Sequence, residues 1–242
     1  INFHNASLPK YRGRASPIHT MQQMEKKTAM TMHWIDTSKI DQGPIIDKEN
    51  IIIEKDDDIK RLYLKHNYAV QKILQRQMKN LLNKKIKSKP QNKIVNSKLW
   101  QDGITDKLNF SKMNIDEVLR KIDSLKYPFK GAFCLINGHK IIIHKAKKYN
   151  KKFRGKFKNG EIIKINKYDI LVKLKNEVIQ LMEVEFKKRH MIPSHLAKLI
   201  FLKKGDIFNN ILSNQNIEKS FFKQSIKSLK KRKKIIKIIK KL

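Results

Sequence analysis

A mixed α/β fold in two units, ending in a basic helical tail, is predicted by three features of the sequence. Short apolar strand-like segments lead into one long amphipathic helix. Closely spaced strands around an Asn-Gly turn follow. The final stretch then combines lysines with apolar residues near helical spacing.

In the first unit Ile1-Asn2-Phe3-His4 reads as the end of a strand. Ala29 to Ile35 alternates, and Ile45-Ile46 and Ile51-Ile52-Ile53 are strand-like. Asp56-Asp57-Asp58 offers an N-cap and favourable dipole charge for a helix whose apolar positions run from Ile59 through Leu62, His66, Val70, Ile73, Leu74 and Leu81 to about Leu82. Residues 1–88 form this unit, and the Lys-rich, Pro-containing stretch 89–98 reads as a linker.

Residues 99–208 form the second unit. Ile115 to Leu125 predicts a short helix with Asp116 and Glu117 in its first turn. Cys134-Leu135-Ile136 and Ile141-Ile142-Ile143 flank Asn137-Gly138, the strongest short hairpin signal. Strands at 162–165, 170–174 and 178–181 complete a small barrel or sandwich pattern. Residues 209–242 form the tail. After Glu218 it has no acidic residue, and 223–242 hold ten Lys or Arg. Such a segment suits RNA, an anionic surface or an acidic partner, and equally a solvated tail.

The chain has 242 residues, 56 basic against 21 acidic, for a formal charge of +35. Only eight of the basic residues are Arg, so compositional drift toward Lys competes with a polyanionic partner as the cause. The charge is uneven: residues 1–50 carry +2 and residues 201–242 carry +11. Cys134 is the only cysteine, which excludes an internal disulfide and a cysteine-based zinc site and fits a cytoplasmic location. No apolar run approaches the ~18 residues of a membrane span. No H-E-x-x-H or similar spacing points to a metal, and His19, His66, His139, His144, His190 and His195 read as surface or packing residues.

The chemistry concentrates in 1–46: Asn2-Phe3-His4, then Ser7-Leu8-Pro9-Lys10-Tyr11-Arg12-Gly13-Arg14, then Thr28-Ala29-Met30-Thr31, then Asp41-Gln42-Gly43-Pro44-Ile45. In order and spacing this resembles the formyltransferase family that uses 10-formyltetrahydrofolate, with its N-x-H, S-L-L-P-x-x-R-G, T-G-x-T and D-x-G-x-I elements. Tyr127-Pro128-Phe129-Lys130-Gly131-Ala132-Phe133 and the run Met191 to Phe208 resemble that family's C-terminal domain. The resemblance covers residues 1–208. It implies the C-terminal half of a Rossmann-like catalytic domain, followed by a small OB-like barrel, with the N-terminal half of the catalytic domain lying outside this chain.

Formyl transfer builds negative charge on the formyl oxygen while an amine gives up a proton. The resemblance assigns Asn2 and His4 to that oxygen and Asp41 as the carboxylate. Ala6, Ser7, Leu8, Pro9, Arg14 and Thr37, Ser38, Lys39, Ile40 would line the folate pocket. The chain departs from the family at two glycines, replaced by Met24 and Ala29, which is costly wherever the backbone needs positive φ. For the acceptor, Arg14 and Asp102-Gly103 lean toward a nucleotide-linked amino sugar. The basic second unit leans toward charged initiator tRNA, with RNA contact by the tail. A non-catalytic remnant that binds RNA or a partner is the third reading.

Overall fold

The computed structural model describes residues 1–36, 39–92, 106–151, 153 and 155–208. Thr37, Ser38, Asp102-Gly103, most of the 89–98 stretch and the basic tail from 209 onward lie outside the described residues.

The first unit is a three-stranded antiparallel sheet in the order β1-β2-β3, formed by Asn2–His4, Lys27–His33 and Ile45–Ile52. Strand β3 is continuous across both apolar pairs. The intervening polar residues do not end it, because Asp47 and Glu49 pair with Arg76, and Glu49 also with Lys72, on the neighbouring helix. That helix, the long one the sequence predicts, spans Ile59–Leu82 and buries Ile59, Leu62, Ala69 and Ile73 against the sheet. Asp58 caps it, its side chain accepting the amide of Arg61 at 3.0 Å. A seven-residue helix at Ser16–Gln22 lies between β1 and β2 and has no clear periodic signal; it is begun by Pro17, whose fixed φ suits a first turn.

The second unit is one antiparallel sheet of six strands. Ala132–Ile136 (β4) and His139–Lys148 (β5) form the hairpin, with Asn137 and Gly138 both at positive φ, as a type I′ turn requires. Ile162–Ile165 (β6), Ile170–Leu174 (β7) and Glu177–Phe186 (β8) give the order β4-β5-β8-β7-β6. A three-residue strand, Arg189–Met191 (β9), pairs with the far end of β8. It is too short and too polar to show in an alternation pattern. Cys134 is buried, and burial pushes its thiol pKa upward.

The helix Ile115–Ser124 joins the units. Asn114 and Glu117 close a reciprocal capping box at its start. Its other faces reach into the first unit: Gln22 donates to the Ser124 hydroxyl at 3.1 Å, Arg120 donates to the carbonyl of Asp57 at 3.1 Å, and Lys126 lies 3.6 Å from Asp58. Ile18, Met21, Ile59 and Leu62 therefore share one apolar cluster with Val118, Ile122, Ile143 and Phe208. The first unit completes its core on the second. Among the described residues no helix is long and apolar enough to cross a membrane.

The two glycine replacements fare differently. Ala29 sits fully buried in the middle of β2, where extended backbone accepts any residue. Met24 adopts φ 59 in the turn after the Ser16–Gln22 helix, so the chain carries a left-handed residue there without glycine. Gly43 is needed for another reason: a Cβ on it would lie 1.8 Å from the carbonyl oxygen of Trp34.

Two stability measurements follow from this architecture. Asp58→Ala removes the cap and is expected to lower unfolding free energy by about 1 kcal/mol in urea titrations. Gly43→Ala forces Trp34 or the 41–44 turn to move, at an expected cost of about 3 kcal/mol in the same assay.

Candidate active site

The hydrogen-bond register of the first sheet begins the site. Antiparallel pairing sets Asn2 opposite His33 and His4 opposite Thr31. The turn after β2 returns Asp41 to the same end of the sheet. Asp41 adopts φ 51, a conformation that Asp tolerates better than most residues.

The Asp41 carboxylate is the hub. Oδ2 accepts the Gly13 amide at 2.8 Å and lies 3.4 Å from Nδ1 of His4. Oδ1 lies 3.4 Å from the amide nitrogen of Asn2 and 3.6 Å from Nε2 of His33. The side chain of Asp41 is 14% exposed, against 7% for His4 and 2% for His33. Four groups from β1, β2 and the 5–14 loop thus gather around one largely buried carboxylate, two of them donating to it.

Tautomers follow from the carbonyls. Nε2 of His4 is 2.8 Å from the Tyr11 carbonyl, so this nitrogen carries the hydrogen and Nδ1 faces Asp41 as an acceptor. Nδ1 of His33 donates to the Trp34 carbonyl at 2.7 Å, leaving its Nε2 to accept from Asn2 at 3.1 Å. Burial lowers the pKa of His4 below the ordinary imidazole value. The Tyr11 carbonyl and the Asp41 charge pull it partly back up, and His33 adds a small lowering. His4 is therefore neutral near pH 7 and can take a proton at Nδ1 beside a carboxylate.

The loop between β1 and the first helix divides its residues. Ala6 and Leu8 are fully buried and face the core, so their side chains line no open pocket. The Thr31 hydroxyl ties them down, donating to the Ala6 carbonyl at 2.6 Å and accepting the Leu8 amide at 3.3 Å. Lys48 binds the Leu8 carbonyl. Ser7 and Pro9 are half-buried, while Arg14, Lys39 and Ile40 are exposed. Trp34, Ile35 and Ile40 place exposed apolar surface beside Asp41.

Two participants escaped sequence reasoning. His33 enters through strand register, which no local pattern encodes. Gln91 comes from the stretch read as linker: its amide donates to the carbonyls of Asp41 at 2.9 Å and Gly43 at 2.7 Å, and its oxygen accepts Arg12 at 2.7 Å. Lys89 pairs with Ile45 in the same stretch. Two of the histidines read as surface or packing residues meet: His144 and His190 stack with centroids 4.4 Å apart and share Glu185. Spacing along the chain gave no sign of this, because strand pairing makes the contact.

Comparison with known proteins bears on this arrangement. The family model described as Formyl transferase matches residues 1–78, and that described as Formyl transferase, C-terminal domain, matches residues 104–198. The chain is similar to the bifunctional polymyxin resistance protein ArnA of Wigglesworthia glossinidia brevipalpis, 30% identical over 90% of this chain and 33% of that protein. It is also similar to the methionyl-tRNA formyltransferase of Caldicellulosiruptor saccharolyticus, 28% identical over 86% of this chain and 66% of that one. The chain thus spans a third of the first relative and just under two thirds of the second. In fold it is similar to an N-formyltransferase from Helicobacter canadensis, solved with folinic acid and dTDP-3-aminofucose. That match has a TM-score of 0.58 at 23% identity and covers 75% of this chain and 65% of that one. With Asn2, His4 and Asp41 gathered at one point and both halves matched in order, the chain belongs to the formyltransferase family.

Proposed function

We propose that this chain carries the reacting groups of an N-formyltransferase that moves a formyl group from 10-formyltetrahydrofolate to a primary amine. The observation that carries the reading is the Asp41 carboxylate held between His4 and Asn2. In this reading residues 1–88 are part of the catalytic domain and 99–208, with the six-stranded sheet, the OB-like C-terminal domain. Residues 89–98 connect them, and 209–242 form the basic tail.

The amine nitrogen attacks the formyl carbon, a C–N bond forms, and the carbonyl electron pair moves to oxygen. An Asn2 N–H, released from its long contact to Asp41, donates to that oxygen. Asp41 receives the amine proton and passes it to Nδ1 of His4, whose imidazolium then adds a second donor. Collapse breaks the bond from the formyl carbon to the folate nitrogen, which takes the proton back. Exposed Trp34, Ile35 and Ile40 offer apolar surface for the folate rings, and Ser7, Pro9, Thr37 and Ser38 complete the assignment in this reading.

The acceptor in this reading is a nucleotide-linked amino sugar. Arg14, exposed one residue beyond Gly13, supports this reading as a cation suited to a diphosphate. One observation favours the second reading, methionyl-tRNA: a cleft of about 460 Å³ on the second unit is lined by Lys148, Tyr149, Lys151, Phe153, Phe157 and Lys173. Cations interleaved with aromatic rings suit a nucleic-acid strand.

The test is formyl transfer by the protein with its native flanking sequence, offered 10-formyltetrahydrofolate and either acceptor. His4→Ala and Asp41→Ala are each expected to lower kcat roughly 10²–10⁴-fold. Folate binding without turnover of either acceptor would overturn both acceptor readings, and failure to bind folate would favour a remnant that binds RNA. NMR titration supplies a second check: the His4 ring is expected to titrate below 6.5, and lower still in Asp41→Asn, which removes a charge favouring imidazolium. Because the folded pKa is depressed, the associated stability is complete above pH 6.5. It is lost as pH falls from there toward the folded value.

A further inference from the structure

The six-stranded sheet carries a second convergence of ligating side chains, far along the sequence from the catalytic cluster. His144 on β5, Glu185 on β8 and His190 on β9 each offer one ligand atom, all within 4.8 Å of one another. Strand pairing assembles them. Glu185 lies directly opposite His190 on one side and opposite Ile142 on the other. His144 falls in a register shift between Ile143 and Lys145, a bulge of the kind that re-aims a side chain. A Cβ at Gly131 would meet Cγ2 of Ile142 at 2.4 Å and the His144 ring at 3.3 Å, so the backbone passes close beneath this corner of the sheet.

The separations within the trio match those between ligands of one ion. Nε2 of His144 is 2.9 Å and Nε2 of His190 is 3.4 Å from the same oxygen, Oε2 of Glu185. Ligands bound at about 2.0–2.2 Å around one tetrahedral ion stand at roughly such separations from each other. Glu183 completes the pattern from outside: its Oε1 is 3.2 Å from Nδ1 of His190. A carboxylate on the remote nitrogen fixes the tautomer that leaves Nε2 free as a ligand.

We propose that His144, Glu185 and His190 bind one divalent transition-metal ion of the zinc class, with Glu183 orienting His190. Two imidazoles and a carboxylate without thiolate suit zinc, cobalt or nickel and leave a fourth position open. Since β9 is held to the sheet by only three residue pairs, the ion would fasten that strand to both β8 and β5.

The chelator-treated full chain would be titrated with Zn²⁺, and Co²⁺ would be used to report coordination by its visible absorption. One ion per chain is expected, with affinity lowered at least 100-fold in His190→Gln and Glu185→Gln and about tenfold in Glu183→Gln. Binding is expected to persist in His4→Asn, which tests the catalytic cluster as the rival site. Circular dichroism checks that each variant folds. Zn²⁺ is also expected to slow amide exchange at residues 189–191 of the unaltered chain. Absence of saturable binding would overturn the proposal. So would binding retained in both His190→Gln and Glu185→Gln, or lost in His4→Asn; the trio would then be hydrogen-bonded without an ion.

Discussion

The site depends on how one carboxylate is satisfied. A charge as sequestered as that of Asp41 needs donors or cations around it. Here the Gly13 amide donates to one oxygen and the Asn2 side-chain amide to the other. Its neighbours come from β1, from the 5–14 loop and, through His33, from β2, so satisfying the charge also fixes the relative positions of these segments. The same network that gathers Asn2, His4 and Asp41 is what makes the local fold definite.

The rest of the first unit is arranged around that requirement. Buried Ala6 and Leu8 and the Thr31 hydroxyl hold the loop rigidly. The absence of a side chain at Gly43 lets the 41–44 turn close against Trp34. These residues touch no reacting atom in the proposed chemistry, yet they set where Gly13 and Asp41 lie. The apolar core serves the same end at longer range, since the helix Ile115–Ser124 covers residues that the small three-stranded sheet leaves open.

Sequence reasoning reached what is encoded locally. The helix Ile59–Leu82 was legible because its cap and its apolar period lie within one window. The Asn137-Gly138 hairpin was legible because its turn demands two residues at positive φ. Asn2, His4 and Asp41 were legible only by resemblance; nothing in their spacing says they meet. His33, Gln91 and the His144–Glu185–His190 group were missed because antiparallel register and chain return put them in place. Glu183 and Gln91 look like ordinary polar residues until their partners, on the next strand or some fifty residues away, are known. Met24 shows the converse: a glycine was expected for a left-handed turn, and the chain keeps the turn without it.

The clamp made by Gln91 has a consequence for chain continuity. Residues 83–88 leave the long helix, and then Lys89 pairs with Ile45 while Gln91 holds Asp41, Gly43 and Arg12. The segment on its way out of the first unit is thereby its fastening. A single peptide-bond cleavage between 83 and 88 would turn that fastening from an intramolecular contact into a bimolecular one and dilute its effective concentration. The geometry around Asp41 would then loosen although no residue of the site had changed.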